Sequence, residues 1–291
     1  MEKIIVEVGS TNTKVDLAVD GDVKHLETIT IEFKKNYKKE NKLNSNDIEV
    51  LINKVKELKK EYKEIYVCGT SIFRNLNENE RKEFLDLFFK RTEINFEIID
   101  SKKENELTVF GCVRNVKQKV AVLVGGGGST EITIFDKEIK EMINTPFGVM
   151  DIMNEFPDLA ENLATTDLEE VKAVIRKHLK LPKEKADILI LAGGGHLLFA
   201  LNSGISYEKN TLYQDKLQPV MMNINTRQKD TVKYFREISL DEIRKKVSNP
   251  DWWYATRAMC AFVLVVAEEI GAKYIVPTDI SMVYGLTKEG E

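Results

Sequence analysis

Apolar and polar positions follow the same pattern twice along this chain. Lys3-Ile4-Ile5-Val6-Glu7-Val8 leads into Gly9-Ser10-Thr11-Asn12-Thr13-Lys14-Val15, and Val120-Ala121-Val122-Leu123-Val124 leads into Gly125-Gly126-Gly127-Gly128-Ser129-Thr130-Glu131-Ile132. Gly9 falls on Gly126 and Thr13 on Thr130 at one constant offset. Each copy predicts a strand, a tight small-residue turn and a returning strand. Two such hairpins predict two related half-molecules facing each other across a cleft.

The rest of the pattern fits that duplication. In the first half, Asp20-Gly21-Asp22 supplies a turn before a third strand from Val23 to Ile31. Ile48, Leu51, Ile52, Val55 and Leu58 then recur at helical spacing, with Ser45 or Asn46 as N-cap. A strand at Ile65 to Cys68 ends at Gly69-Thr70-Ser71, a helix carries Phe84, Leu85, Leu87, Phe88 and Phe89, and a strand follows from Phe96 to Ile99. Asp100-Ser101 caps a helix running through Leu107 and Gly111. In the second half, a third strand is expected from Lys137 to Ile143, with helices at about Met150 to Leu163 and Leu168 to Leu179, the latter capped by Thr166 or Asp167. A buried strand from Asp187 to Leu191 runs into Gly193-Gly194-Gly195. The polar stretch from Asn202 to Lys233 lacks a clear period and reads as a long loop or insertion. A helix from Leu240 to Val247, an apolar helix from Ala255 to Ile270 and a strand at Tyr274-Ile275-Val276 stopped by Pro277 complete the chain. The order in both halves is that of a duplicated α/β fold.

Composition narrows the partners. With 291 residues there is room for two domains, and a net charge of −4 gives no electrostatic reason to expect nucleic acid or an acidic membrane. Two lysine clusters, Lys34, Lys35, Lys38 and Lys39, and Lys56, Lys59, Lys60 and Lys63, read as solvated faces. Cys68, Cys112 and Cys260 are odd in number and sit among apolar neighbours, as buried reduced thiols of a cytoplasmic protein do. His25, His178 and His196 show no metal spacing. The first strand begins by Lys3, which leaves no expected signal peptide, and Arg257 interrupts the longest apolar run, which is too short to span a bilayer.

Candidate chemistry gathers at the turns. Gly9-Ser10-Thr11-Asn12, Gly125 to Thr130, and Gly193-Gly194-Gly195 each follow a buried strand. Convergent backbone N–H groups and Ser/Thr hydroxyls suit phosphate, whose oxygens are acceptors, although glycines also serve plain tight turns. The expected phosphate contacts are Gly9, Ser10, Thr11, Asn12, Gly126, Gly127, Gly128, Ser129, Thr130, Gly194 and Gly195, with Lys14 and Arg74. Glu131, beside the second turn, could hold Mg²⁺ directly or through water. Glu104, in the first turn of its helix, could act as base toward an attacking water, or simply cap that helix.

These residues resemble a known family, the exopolyphosphatase and guanosine pentaphosphate phosphatases of the actin-like ATPase-domain superfamily. Glu7 to Lys14 looks like the family's first turn, and Gly69-Thr70-Ser71-Ile72-Phe73-Arg74 like its Ala-Thr-Ser-Ala-x-Arg motif. Gly126-Gly127-Gly128-Ser129-Thr130-Glu131 matches its Gly-Gly-Gly-Ser-Thr-Glu signature, and Pro146-Phe147-Gly148-Val149 its Pro-Leu-Gly-Val. The resemblance implies two actin-like (ribonuclease H-like) domains, at residues 1–118 and 119–291, with the final segment able to pack back on the first. It implies a magnesium-dependent phosphatase in the cytoplasm, hydrolysing polyphosphate or guanosine pentaphosphate, with Glu104 and Glu131 catalytic and Glu131 and Glu7 on Mg²⁺ or another divalent cation. No nucleic acid or membrane partner is implied, and a homodimer is among the allowed assemblies. The chain also departs from the family. Val124 replaces an Asp before the triple glycine, Trp252, Trp253 and Tyr254 stand where Arg-Ala-Asp is usual, and Val283 replaces a basic residue. Those losses suggest an alternative, a sensor that binds polyphosphate or guanosine tetraphosphate with weakened catalysis. An ATPase of the same superfamily is a third reading.

Overall fold

The computed structural model describes residues 2–10, 12–193, 195–202, 206–246 and 254–287. The chain divides into two compact units, Met1–Gly111 with Met282–Glu291, and Cys112–Ser281.

In the first unit, strands β1 (Glu2–Val8), β2 (Asn12–Val19) and β3 (Asp22–Thr30) form an antiparallel meander. Helices α1 (Phe33–Glu40) and α2 (Ser45–Glu61) follow, then β4 (Ile65–Gly69), α3 (Ser71–Arg74), α4 (Glu78–Thr92), β5 (Phe96–Ile98) and α5 (Ser101–Val113). The sheet order is β3-β2-β1-β4-β5, with β4 and β5 parallel to β1. Rings of Phe33, Phe73, Phe84, Phe88 and Phe96 fill one face, with centroids 4.8–5.9 Å apart. Gly69 makes that cluster possible, because a Cβ there would lie 2.5 Å from Phe96 and 2.6 Å from Phe73.

The second unit repeats the plan. Strands β6 (Val120–Gly125), β7 (Thr130–Asp136) and β8 (Glu138–Thr145) are again an antiparallel meander. Next come α6 (Val149–Glu155), α7 (Leu168–His178), β9 (Ile188–Ala192), α8 (His196–Asn202), β10 (Glu208–Lys209), β11 (Val220–Asn223), α9 (Ile224–Arg236), α10 (Leu240–Lys246), α11 (Thr256–Ile270) and β12 (Tyr274–Pro277). The order is β10-β11-β12-β9-β6-β7-β8. Its segment β8-β7-β6-β9-β12 has the same succession of antiparallel and parallel pairs as the first sheet. The duplicated turns therefore mark duplicated sheets. Helix α12 (Met282–Leu286) belongs to the first unit, where Met282, Val283 and Leu286 pack with Ile5, Ala18, Cys68, Ile99 and Leu107.

Several local expectations are corrected. The α2 cap is Asn44, whose side chain accepts from the amides of Asn46 and Asp47, and not the expected Ser45 or Asn46. Helix α1 went unrecognised because it buries only Phe33; it carries the first lysine cluster. Helix α6 stops before Pro157, which lacks an amide hydrogen, and a 3-10 turn at Pro157–Ala160 replaces the expected continuation to Leu163. The stretch from Asn202 to Lys233 is no plain loop, since it supplies β10, β11 and most of α9, the last capped by Asn223.

Helix α11 is buried along most of its length, including Arg257 at 0% exposure. That guanidinium donates to five backbone carbonyls, of Leu159, Glu161, Asn162, Tyr234 and Ile238, at 2.7–3.2 Å. This charge near the start of α11 thus ties the segment after α6, and the last turn of α9 with the residues beyond it, to the core helix.

Candidate phosphate site

The two glycine turns close in the same way. The amide of Gly9 donates to the carbonyl of Asn12, and that of Gly126 to the carbonyl of Ser129, both at 2.9 Å. A Cβ would approach those carbonyls to 2.9 Å at Gly9 and 3.3 Å at Gly126, so the turn excludes a side chain at Gly9 and leaves little room for one at Gly126. Each amide is committed to the hairpin. Among the described residues, no hydrogen bond engages the amides of Gly127, Gly128 or Ser129. Gly127 and Gly128 are also exposed, so this turn presents donors of the kind an anion takes.

Gly148 braces the second turn from behind. Val149 and Met150 donate to the carbonyls of Gly126 and Gly127 at 3.1 and 2.8 Å, and a Cβ on Gly148 would lie 2.5 Å from the Gly126 oxygen. The Pro-Phe-Gly-Val run is therefore a packing partner of the glycine signature. Thr130, also an expected phosphate contact, is 1% exposed, and its hydroxyl donates to the Phe147 carbonyl at 2.7 Å, which makes it part of this brace. Glu131 accepts from Asn144 at 3.1 Å and stands opposite Val124 in the β6–β7 ladder.

In the first unit the first turn follows β1, and α3 begins just beyond the C-terminal end of its parallel neighbour β4. Ser10 Oγ lies 2.8 Å from Ser71 Oγ, linking the first turn to α3. Arg74 donates to Glu104 at 2.6 Å and to the Ile99 carbonyl at 3.0 Å. Glu104 is thus held by a guanidinium, and the side chain that caps α5 is Asp100, accepting from the Lys103 amide at 2.8 Å. Lys14 is exposed and faces Glu7 across the β1–β2 ladder. Burial pushes the Glu7 carboxyl above its usual range, Lys14 pulls it back, and Glu104 and Asp16 push it up again. Its Oε2 is buried and has no hydrogen-bond partner.

The third turn is differently used. Gly193 and Gly195 adopt φ of +68° and +73°, which favours glycine, and the Gly193 amide donates to the Ile280 carbonyl at 2.9 Å. Asp279 accepts from the amides of Leu197 and Leu198 at 2.9 and 3.2 Å, closing the start of α8. Thr11, Gly194, Trp252 and Trp253 lie outside the described residues.

Sequence reading missed one feature. Beside Gly125–Gly127 the second unit contains a cavity of about 410 Å³, reached by His196 of α8, Arg227 of α9 and Thr256 of α11. Each stands alone in its helix, so no spacing in the sequence announces them together.

The Ppx/GppA phosphatase family model matches residues 21–248. No curated protein matches the chain. Among solved structures, the type II variant of the Aquifex aeolicus Ppx/GppA phosphatase is similar over 100% of both chains at 19% identity, with a TM-score of 0.80. An exopolyphosphatase from Cytophaga hutchinsonii is similar over 98% of this chain and 96% of its own, at 14% identity and a TM-score of 0.68. The shared fold is the two-domain actin-like one.

Proposed function

Because the chain belongs to the Ppx/GppA phosphatase family, we propose that it hydrolyses a terminal phosphoanhydride bond, of inorganic polyphosphate or of guanosine pentaphosphate. The observation that carries this reading is the unengaged amide row at Gly127, Gly128 and Ser129, exposed at both glycines, just ahead of Thr130 and Glu131. Those amides would hold phosphate oxygens. Water would attack the terminal phosphorus while the bridging oxygen leaves with its bonding electrons. Glu104, oriented by Arg74, would take the proton from that water.

A divalent cation fits the residues present. Glu7 offers a buried carboxylate oxygen with no partner, and burial, offset in part by Lys14 and reinforced by Glu104, makes its ionised form costly unless a cation arrives. Mg²⁺ that comes with substrate phosphates needs only one or two protein carboxylates, so Glu7 in the first unit, or Glu131 in the second, would serve. When bound, the cation would neutralise charge on the transferring phosphoryl group. The test is phosphate release by the purified protein from polyphosphate, guanosine pentaphosphate and ATP, with and without Mg²⁺. Release from one of the first two, dependent on Mg²⁺, is expected; release from ATP alone would move the protein to another activity within the fold.

A second reading, binding with weakened turnover, is favoured by Val124. It faces Glu131 where a second carboxylate would help hold a cation. On this reading the natural protein turns over slowly, and Val124→Asp raises the rate or tightens the Mg²⁺ dependence. The cost is two like charges opposed across a ladder, about 0.2–1 kcal/mol, which a urea unfolding curve would register. Fast natural hydrolysis with no gain in a folded Val124→Asp protein would reject it.

A further inference from the structure

Helix α1 is built against the rules that stabilise a short helix. It has eight residues and buries only Phe33, so packing contributes little to it. Its first turn carries no acidic residue. Lys34 and Lys35 stand there instead, at the end where the helix macrodipole disfavours cations. Lys34 with Lys38, and Lys35 with Lys39, are like-charge pairs at i,i+4, which also weaken a helix. Local choices that oppose the fold are expected where function requires them.

The four lysines share one side. With about 3.6 residues per turn they fall away from Phe33, and all four are exposed. Nearby carboxylates have other partners. Glu40 accepts from Asn44 at 2.7 Å, Asp47 from Asn36 at 2.8 Å, and Glu80 from the Leu43 amide at 2.6 Å and the Tyr37 hydroxyl at 3.2 Å. Glu32 pairs with Lys35 at 2.7 Å. Among the described residues no carboxylate lies within ion-pair distance of Lys34, Lys38 or Lys39. The helix also starts on the first glycine turn, since the Lys34 amide donates to the Ser10 carbonyl at 2.9 Å. In the second unit α6 holds the corresponding place against its own turn, and it carries Asp151 and Glu155 and no lysine. The positive face is therefore particular to the first unit and does not follow from the duplicated architecture.

We infer that this face of α1 binds inorganic polyphosphate, holding phosphates of the chain that lie away from its reacting end. The inference rests on the polyphosphate half of the reading above and adds a binding surface to it. Polyphosphate is charge along its whole length, with no base and no lipid tail, and this face is its complement. Single-stranded nucleic acid takes aromatic rings beside the cations, and a membrane surface takes an apolar face. Helix α1 offers neither, because Phe33 is buried and Tyr37 is half-buried with its hydroxyl on Glu80. Ammonium groups on flexible stems meet phosphate as point charges without a fixed fork, which suits a flexible repeating chain. Affinity then grows with chain length.

The test uses the full chain in EDTA, which halts hydrolysis that depends on Mg²⁺, and follows an end-labelled long-chain polyphosphate by fluorescence anisotropy. Tripolyphosphate is expected to bind at least about ten-fold more weakly. Lys38→Gln with Lys39→Gln should weaken the long chain about ten-fold and flatten the slope of log K against log salt by about 1.5–2, the share of two phosphate contacts. Lys56→Gln with Lys60→Gln, the same change of net charge on α2, should weaken it by less than about two-fold, because salt screens charges outside the contact. Glutamine forms a helix about as readily as lysine, and the like-charge pairs are relieved, so the urea midpoint of the α1 variant should hold or rise. An unchanged affinity in the α1 variant, or an equal loss in both variants, overturns the inference and leaves the proposed hydrolysis standing. Single-stranded RNA or phosphatidylserine vesicles that bind through Lys38 and Lys39 as tightly as the long chain also overturn it. No binding of the long chain by the natural protein overturns it together with the polyphosphate half of the reading, and leaves guanosine pentaphosphate. Binding that depends on α1 in a protein that releases no phosphate upholds the inference and rejects the hydrolytic reading.

Discussion

A Glu104→Gln protein is expected to release phosphate about 10²–10⁴ times more slowly than the natural chain, the usual worth of a positioned base, while binding the same ligand almost as tightly. The substitution keeps shape and keeps an acceptor for Arg74, whose guanidinium sits 2.6 Å from the Glu104 carboxylate. What it removes is the ability to accept a proton from water. A base acts in the transition state and contributes little to ground-state affinity, so kcat should fall with KM nearly constant. Arg74→Ala provides the complement. It leaves the carboxylate chemically intact but unheld, and frees the Ile99 carbonyl that Arg74 also engages. Its kcat should fall less than that of Glu104→Gln. Parallel loss of binding and turnover in Glu104→Gln would instead make the Arg74–Glu104 pair a structural tie between α3 and α5.

The largest expected effect on stability is at Arg257. Arg257→Met retains length and apolar bulk but strands the carbonyls of Leu159, Glu161, Tyr234 and Ile238, while that of Asn162 keeps the Leu240 amide. A cost of about 3–5 kcal/mol is expected, in line with breaking a buried charged network from one side. Arg257→Lys should recover less than half of it, because an ammonium has three donors on one atom and cannot reproduce the planar fork. Urea unfolding followed by far-UV circular dichroism measures both. A loss below about 1 kcal/mol for Arg257→Met would mean that water reaches those carbonyls readily.

The two predictions mark what the sequence made legible and what it hid. Repetition of a strand, a glycine turn and a strand was enough to anticipate repeated sheets, because a hairpin is a local structure whose pattern is written in consecutive residues. Arg257 was visible only as an interruption in an apolar run; its role lies in carbonyls of segments distant in the chain. Helix α1 escaped because a lysine-rich helix with one buried residue leaves no apolar stripe to read. Strands β10 and β11 escaped because they are very short and lie at the sheet edge. At the candidate site, the glycine turns and Glu104 were legible as motifs. The reason for Gly148, a carbonyl 2.5 Å from where its Cβ would sit, was not. Nor was the meeting of His196, Arg227 and Thr256, which only the packing of three helices brings about.

The return of α12 to the first unit has a consequence for how the protein is made. Met282, Val283 and Leu286 cover Ile5, Ala18, Cys68, Ile99 and Leu107, and Gly285 is pressed so closely that a Cβ would fall 2.2 Å from the Leu107 carbonyl oxygen. On the ribosome, residues 1–111 emerge well before this helix does. Domains generally fold from the N-terminal end as they are synthesised. Here the first-translated unit must wait for a late segment to seal one face of its sheet. Until then Ile5 and Leu107 form a sticky surface open to chaperones or to another nascent chain. The unit whose synthesis begins first is the one whose core closes last.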